Sequence, residues 1–246
     1  MLLAILTSCK KGSNVLSDSM VDDIVSYPCE SQTDLTNKTV TDCQCNTYPI
    51  VKIGDQWWMA ENLKATLYDS KSEKAGTMLK SSSERSYTPS YIDWTNQENW
   101  DDNFKNNYSN KLSQQQISKL GVQYNWAAAV GLDNGREERK FEGFRQGICP
   151  NGWHVPNGEE FYKMLGTISE PYTMSCGPEY YGVNKILENA SSFNSIVNGD
   201  YYSSYGTDEQ SAKTMSFSDD IYRDGRAKVN SCFSKKSKCF IRCIKD

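Results

Sequence analysis

The chain has 246 residues, and its 27 basic and 31 acidic side chains give a formal net charge of −4. This near balance argues against a nucleic-acid partner, because such binding depends on clustered lysine and arginine side chains that neutralise phosphates. Hydrophobic residues make up only 37% of the chain, yet it contains 15 Tyr, 8 Phe and 6 Trp. Aromatic residues bury large areas each, so this composition is typical of a loop-rich exported domain.

The N-terminus carries a predicted processing signal at residues 1–8, which are almost wholly apolar and contain no charged side chain. Leu6-Thr7-Ser8-Cys9 resembles a bacterial lipobox, in which small residues precede the cysteine that receives a lipid. Eight residues are too few to span a bilayer, which needs about 20. We therefore expect a lipid on Cys9 that anchors the protein to a membrane of the bacterial cell envelope, at the outer membrane or cell surface. The alternative is a frayed apolar N-terminus with an incidental cysteine.

Residues 9–38 are rich in Ser, Asp, Asn and Lys, and this composition predicts a flexible tether. The pattern changes at Thr39, so the folded domain is predicted to span residues 39–246. Its first element is a predicted β-hairpin. Residues 47–53 favour a strand, residues 54–56 are a turn signal, and a second strand starts at Trp57.

Polar loops and short elements are predicted to alternate through the rest of the chain. Residues 69–110 are polar and predict one long surface loop. The clearest helix signal is the capping-box spacing of Asn157 and Glu160. Short helices among strands and long loops indicate an α+β fold. The predicted helices are 113–120, 124–130, 159–165 and one around 184–188, and a terminal strand is predicted over 239–244.

The cysteine count predicts disulfides, since an even number remains once Cys9 is set aside. The remaining eight are Cys29, Cys43, Cys45, Cys149, Cys176, Cys232, Cys239 and Cys243. Zinc is the competing interpretation, because Cys239 and Cys243 have tolerable ligand spacing. No C-x2-C pair and only one histidine support it, so we expect no metal and no cofactor. Cys232 and Cys239 are a candidate disulfide pair that would close a short basic loop. The alternative is that each pairs with another cysteine.

Four segments resemble motifs of the Fibrobacter succinogenes major paralogous domain family, in the family's order. They are VKIGDQWWMAENL at 51–63, YNWAA at 124–128, CPNGWHVP at 149–156 and FIRCIKD at 240–246. The resemblance covers roughly residues 40–246 and implies a C-type-lectin-like, disulfide-stabilised α+β domain, and the family has no established catalytic activity to carry over. It also implies a Cys149–Cys243 disulfide, which would contribute roughly 4–5 kcal/mol by closing a loop of about 100 residues.

His154 is the only histidine, so any Ser–His or Cys–His mechanism would need it. It lies within the third family motif, and we interpret it as a hydrogen-bonded residue of a packed turn and not as a general base. The Glu-Pro-Asn, Gln-Pro-Asp and Trp-Asn-Asp motifs of calcium-dependent lectins do not occur in the sequence. We therefore name no catalytic residue.

Two aromatic pairs are candidate binding residues: Trp57 with Trp58, and Tyr201 with Tyr202. Adjacent strand residues face opposite sides, so one tryptophan should enter the core while the other faces outward. The outward ring could stack on a sugar or anchor a protein partner, unless it packs beneath residues 69–110. The same alternatives apply to the two tyrosines.

Two classes of function follow from the sequence. The first is a non-catalytic envelope lipoprotein that binds glycan or protein, which the abundance of aromatic residues and the scarcity of catalytic groups favour. The alternative is an enzyme related to the formylglycine-generating branch of lectin-like folds. That enzyme would need reactive cysteines, for which Cys239 and Cys243 are the candidates.

Overall fold

The computed structural model describes residues 30–100, 102, 105, 113–118, 120–136, 143–168, 171–174, 177–181, 199–218 and 226–246. Within these ranges the protein is mostly β-sheet with a few short helices, an α+β arrangement as predicted. The helices are α1 (Gln114–Ile117), α2 (Trp126–Val130) and α3 (Gly158–Ile168). The strands are β1 (Gln32–Asp34), β2 (Thr39–Thr41), β3 (Thr47–Ile53), β4 (Gln56–Met59), β5 (Lys80–Ser81), β6 (Ser90–Asp93), β7 (Val122–Tyr124), β8 (Trp153–His154), β9 (Pro171–Met174), β10 (Gly177–Tyr181), β11 (Gly199–Gly206), β12 (Ser211–Ser218), β13 (Arg226–Ser234), β14 (Cys239–Phe240) and β15 (Ile244–Lys245).

The first sheet is antiparallel, in the order β1-β2-β3-β4-β15-β8. Strands β3 and β4 form the predicted hairpin, and Gly54 turns the chain with a left-handed φ of 61°. Strand β15 lies between β4 and β8, where Ile244 is paired with Trp58 on one side and His154 on the other. The end of the chain is therefore held between the opening hairpin and the 149–156 segment.

The second sheet has the order β5-β6-β7-β14-β11-β12-β13-β10-β9. Its pairs are antiparallel except β5 with β6 and β11 with β14, which are parallel. The predicted single strand over 239–244 was wrong. The chain crosses here from one sheet to the other, so the segment is divided into β14 and β15.

Helix boundaries follow the capping signals in the sequence. Asn125 caps α2 by accepting a hydrogen bond from the backbone N–H of Ala128, and left-handed Gly131 ends the helix. At α3, the backbone N–H of Glu160 donates to Asn157 Oδ1 at 3.0 Å and the carboxylate of Glu160 accepts from the N–H of Asn157 at 2.8 Å. This is the predicted capping box. The helix predicted around residues 184–188 lies outside the described residues.

Two predicted loops contain strands. Strand β1 pairs with β2 through Thr33 and Val40, so the tether predicted to extend to residue 38 was wrong over its last residues. The surface loop predicted over 69–110 was also wrong, because it contains β5 and β6. In β6 only Ser90 and Ile92 are buried. An alternation of buried and exposed residues this short does not stand out in a polar sequence.

The core contains the predicted disulfide between Cys149 and Cys243, whose Cα atoms lie 5.9 Å apart. The candidate Cys232–Cys239 pairing was wrong, because Cys239 is a free thiol that points into the core from β14. Burial, with the nearby charge of Asp200, raises the pKa of Cys239 well above 9.0. Cys45 is also disulfide-bonded. Across the described ranges, no helix is both long and apolar enough to cross a membrane.

Candidate functional site

The two tryptophans of β4 face opposite sides of their strand, as the alternation of side chains predicted. Trp58 is fully buried and stacks on Phe161 of α3, with ring centroids 5.8 Å apart. Trp57 is half-buried and lines an open surface groove of about 550 Å³. Only Trp57 of the predicted pair is therefore available to a ligand.

Of the two alternatives for Tyr201 and Tyr202, the structure has the packed one, because both side chains are buried in the core. They lie on β11, which is covered on both faces and sits between β14 and β12. The Tyr201 ring packs 5.7 Å from that of Phe217, and the Tyr202 hydroxyl donates to the Ser234 carbonyl at 2.6 Å. These tyrosines stabilise the fold.

The groove beside Trp57, called here the Trp57 groove, forms where three parts of the chain meet. These parts are the β3–β4 hairpin, the start of α3 and the end of the chain at β15, and the β1–β2 turn and the segment before β8 add one residue each. Its lining residues are Leu35, Asp55, Gln56, Trp57, Phe144, Asn157, Glu159, Glu160, Lys163, Ile244, Lys245 and Asp246.

Exposed apolar side chains converge on this groove. Among the described residues, four large apolar side chains are exposed, and two of them, Leu35 at 47% and Phe144 at 72%, line the groove. Single exposed apolar residues are ordinary, but several around one concave surface indicate a contact site. Together with Trp57, these two side chains retain apolar area that a ligand could remove from water.

The polar lining of the groove is mildly acidic. Lining carboxylates outnumber lining lysines by four to two. Asp55 and Lys163 form an ion pair at 2.7 Å, and that contact lowers the pKa of the Asp55 carboxyl. Glu159 at the start of α3 remains exposed. A ligand with a basic group beside an apolar one would complement this surface.

Gln56 adds a polar group beneath the aromatic wall. Its side chain is 9% exposed, and its buried Oε1 has no hydrogen-bond partner among the described residues. Buried polar atoms are nearly always hydrogen-bonded, so this acceptor is an exception within the wall of the groove.

His154 lies behind the groove wall and is the buried, hydrogen-bonded residue that the sequence predicted. Its Nδ1 lies 2.6 Å from an oxygen of Asp246 and its Nε2 lies 2.9 Å from an oxygen of Glu160. Burial lowers the pKa of the ring, but hydrogen bonds and charges from Glu160 and Asp246 outweigh it, so the pKa lies above 6.5. The edge contact between the His154 and Phe144 rings, 4.9 Å between centroids, connects this cluster to the groove.

With both ring nitrogens bonded to carboxylates, His154 holds the groove wall in place and has no free nitrogen for a substrate. Within the described part of the chain, no three or more His, Cys, Asp or Glu side chains are grouped so that they could hold a metal ion. The groove presents apolar side chains, amide groups and several charged groups.

The model of the Fibrobacter succinogenes major domain family matches residues 51–245. The chain belongs to this family. The match runs from β3 to β15 and includes every groove-lining residue except Leu35 and Asp246. No curated protein and no solved structure matches the chain.

Sequence reasoning identified Trp57 but missed Leu35 and Phe144 as members of the same site. Leu35 follows β1 in a segment predicted to be a tether, and Phe144 is 109 positions further along. An exposed apolar residue carries no signal of its own in a polar segment. In this member of the Fibrobacter succinogenes major domain family, the turn between β1 and β2, which carries Leu35, supplies part of the groove wall.

Proposed function

We propose that this Fibrobacter succinogenes major domain protein is a non-catalytic binding domain of the bacterial cell envelope, and that the Trp57 groove is its ligand site. The observation that supports the proposal most strongly is the convergence of Leu35, Phe144 and Trp57 on one open groove. Burial of exposed apolar area contributes about 25 cal/mol per Å² before the costs of association, so such a groove can anchor a ligand.

Of the two ligand classes suggested by the sequence, a protein segment agrees with the groove better than a neutral glycan does. Sugars bind through stacking on aromatic faces together with many hydroxyl contacts. Leu35 has no ring, and Phe144 carries no polar group. The excess of carboxylates in the lining favours a segment that presents an apolar or aromatic side chain next to a basic one.

The state of the cysteines supports a binding domain over the enzyme alternative. An enzyme of the formylglycine-generating type would need reactive thiols at Cys239 and Cys243. Cys243 is bonded to Cys149 in a disulfide. Cys239 is buried and its pKa is raised, so it stays protonated, and a protonated thiol is a poor nucleophile.

The envelope location and the lectin-like architecture are part of the same proposal. Lipid attachment at Cys9 rests on the lipobox-like sequence, since residues 1–29 lie outside the described ranges. Two antiparallel-rich sheets, short helices and a disulfide that joins the last segment to the 149–156 motif support a C-type-lectin-like domain.

A ligand array tests the proposal. The full-length chain with Cys9→Ser, which removes the lipid acceptor, is applied to peptide and glycan arrays beside two groove variants, Trp57→Ala and Phe144→Ser. The matched controls are Met78→Ser and Tyr172→Ser, the exposed apolar residues outside the groove. We expect peptide ligands whose affinity falls at least tenfold in both groove variants and less than twofold in the controls. Equal losses in all four variants, ligands that are only glycans, or no ligand at all would overturn the proposal.

A further inference from the structure

Positively charged side chains surround Tyr87 on a second surface, which shares no residue with the lining of the Trp57 groove. The guanidinium carbon of Arg136 lies 4.6 Å from the centre of the Tyr87 ring, and Lys236 Nζ lies 4.8 Å from it. These residues come from three separate parts of the chain, so the fold, and not a run of basic sequence, brings them together. We call this surface the Tyr87 patch.

Two more cations complete the Tyr87 patch. Arg85 Nη2 donates to the hydroxyl of Ser237 at 2.8 Å, and Lys238 Nζ donates to the backbone carbonyl of Glu84 at 2.7 Å. The contact of Arg85 is with a neutral hydroxyl, whereas Lys238 is also within reach of the charge of the Glu84 carboxylate.

The positive charge of the patch is only partly balanced within the part of the chain that the structure describes, because only Lys238 of its four cations has a carboxylate, that of Glu84, acting on its charge. Considering only the described residues, none of Arg85, Arg136, Lys236 and Lys238 forms an ion pair with a carboxylate. Exposed cations elsewhere do have such partners, as with Lys163 and Asp55 at 2.7 Å. The whole chain carries a net charge of −4, whereas the patch brings four cations together with the single carboxylate of Glu84. Like charges held together repel each other, and an anionic ligand would relieve that repulsion.

We propose that the Tyr87 patch binds an acidic polysaccharide through its carboxylate or sulfate groups. Arginine presents a planar fork of donors that matches such groups, and lysine adds a point charge beside it. The hydroxyls of Ser86 and Ser237 lie among the cations and can accept or donate hydrogen bonds to sugar hydroxyls. This site is separate from the Trp57 groove and does not depend on the ligand proposed there.

A membrane surface is the less suitable partner for the patch. Peripheral binding to a bilayer combines basic residues with apolar side chains that insert between headgroups. The large apolar side chains exposed within the described ranges are Leu35, Met78, Phe144 and Tyr172, and none belongs to the Tyr87 patch.

The test compares two charge-reversal variants of the full-length chain with Cys9→Ser. The patch variant is Arg136→Glu with Lys236→Glu. The control is Lys52→Glu with Lys71→Glu, which changes the net charge equally at two exposed lysines elsewhere. The probes are heparin as a sulfated polymer, polygalacturonate as a carboxylated polymer and dextran as a neutral one, at low and high salt. Thermal unfolding confirms that each variant is folded, and Trp57→Ala is measured in parallel.

We expect one or both acidic polymers to bind at low salt, to weaken at high salt, and to bind at least tenfold more weakly to the patch variant. The control and Trp57→Ala should change by less than twofold, and dextran should not bind. Equal loss in the patch and control variants would reduce the effect to net charge and overturn the proposal. So would failure of both acidic polymers to bind, or patch-dependent binding of phosphatidylglycerol vesicles or of duplex DNA in their place.

Discussion

The guanidinium Nε of Arg242 donates to Oδ1 of Asn62 at 3.0 Å, and this bond joins residues 180 positions apart. The amide of Asn62 in turn donates to the carbonyl of Leu120 at 2.8 Å. Arg242 is 3% exposed and lies 5.3 Å from the ring of Tyr201. One buried network therefore connects the opening motif, the middle of the chain and the last segment, and fixes β15 next to the groove.

We expect Asn62→Ala to lower the free energy of unfolding by about 2–3 kcal/mol, because it removes an acceptor from a buried charge and a donor from a buried carbonyl. Asn62→Asp keeps the acceptor for Arg242 and should cost less than Asn62→Ala. Urea denaturation of both variants measures the difference. Unchanged stability in Asn62→Ala would show that this network does not hold the three segments together.

The neighbouring tryptophans should respond very differently to truncation. Trp58→Ala removes a fully buried ring stacked on Phe161 and should cost about 3–5 kcal/mol. Trp57→Ala removes a half-buried ring at the groove, so we expect about 1 kcal/mol or less. Thermal unfolding of the two variants separates these effects. A larger loss for Trp57→Ala would mean that this ring supports the core and is not free for a ligand.

The cysteines provide a chemical test of the fold. Closing the loop between Cys149 and Cys243, which are 94 positions apart, should stabilise the protein by about 2–5 kcal/mol, so Cys149→Ser should lose that amount. Buried Cys239 should resist iodoacetamide in the native protein and react after unfolding, because its pKa is raised and its thiol is inaccessible. Urea denaturation measures the stability loss of Cys149→Ser, and mass spectrometry of alkylated, unreduced peptides follows the labelling of Cys239. Rapid labelling of native Cys239 would contradict the core packing.

His154 should give the protein a pH-dependent stability. A histidine whose pKa is raised on folding contributes its full stabilisation below the unfolded value of 6.5, and this contribution is lost as the pH rises through the folded value. We therefore expect the free energy of unfolding to fall above pH 6.5, and His154→Gln to reduce that dependence. Since His154 is the only histidine, its NMR ring signal reports the folded pKa directly.

The carboxylate partners of His154 give the control for that measurement. Glu160→Gln removes one of the two charges that favour the protonated ring, so the folded pKa should fall. Stability that rises between pH 6.5 and 8 in the wild-type protein but not in His154→Gln, or a wild-type pKa below 6.5, would contradict the proposed arrangement.

Local signals in the sequence predicted local structure well. The Gly54 turn, the capping box of Asn157 and Glu160, and the opposite faces of Trp57 and Trp58 each depend on a few adjacent residues. The Cys149–Cys243 disulfide followed from the resemblance to the family. These features need no knowledge of which strands become neighbours.

The errors concern partners distant in sequence. Tyr201 and Tyr202 were candidates for ligand binding because nothing in the sequence indicates that β11 is an inner strand covered on both faces. Leu35 and Phe144 were missed because only the folded chain brings them beside Trp57. Pairing of Cys232 with Cys239 was inferred from their short spacing, whereas the orientation of Cys239 is set by the core around β14.

Chemical-shift mapping of the complex with an array-selected peptide tests the central claim most directly. Backbone amide shifts are followed during titration of the full-length chain with Cys9→Ser. We expect the largest changes at Leu35, Trp57 and Phe144, little change at Met78 and Tyr172, and no saturable shifts in Trp57→Ala. Saturable shifts centred outside the groove, with Trp57 and Phe144 unaffected, would contradict the assignment of the Trp57 groove as the ligand site.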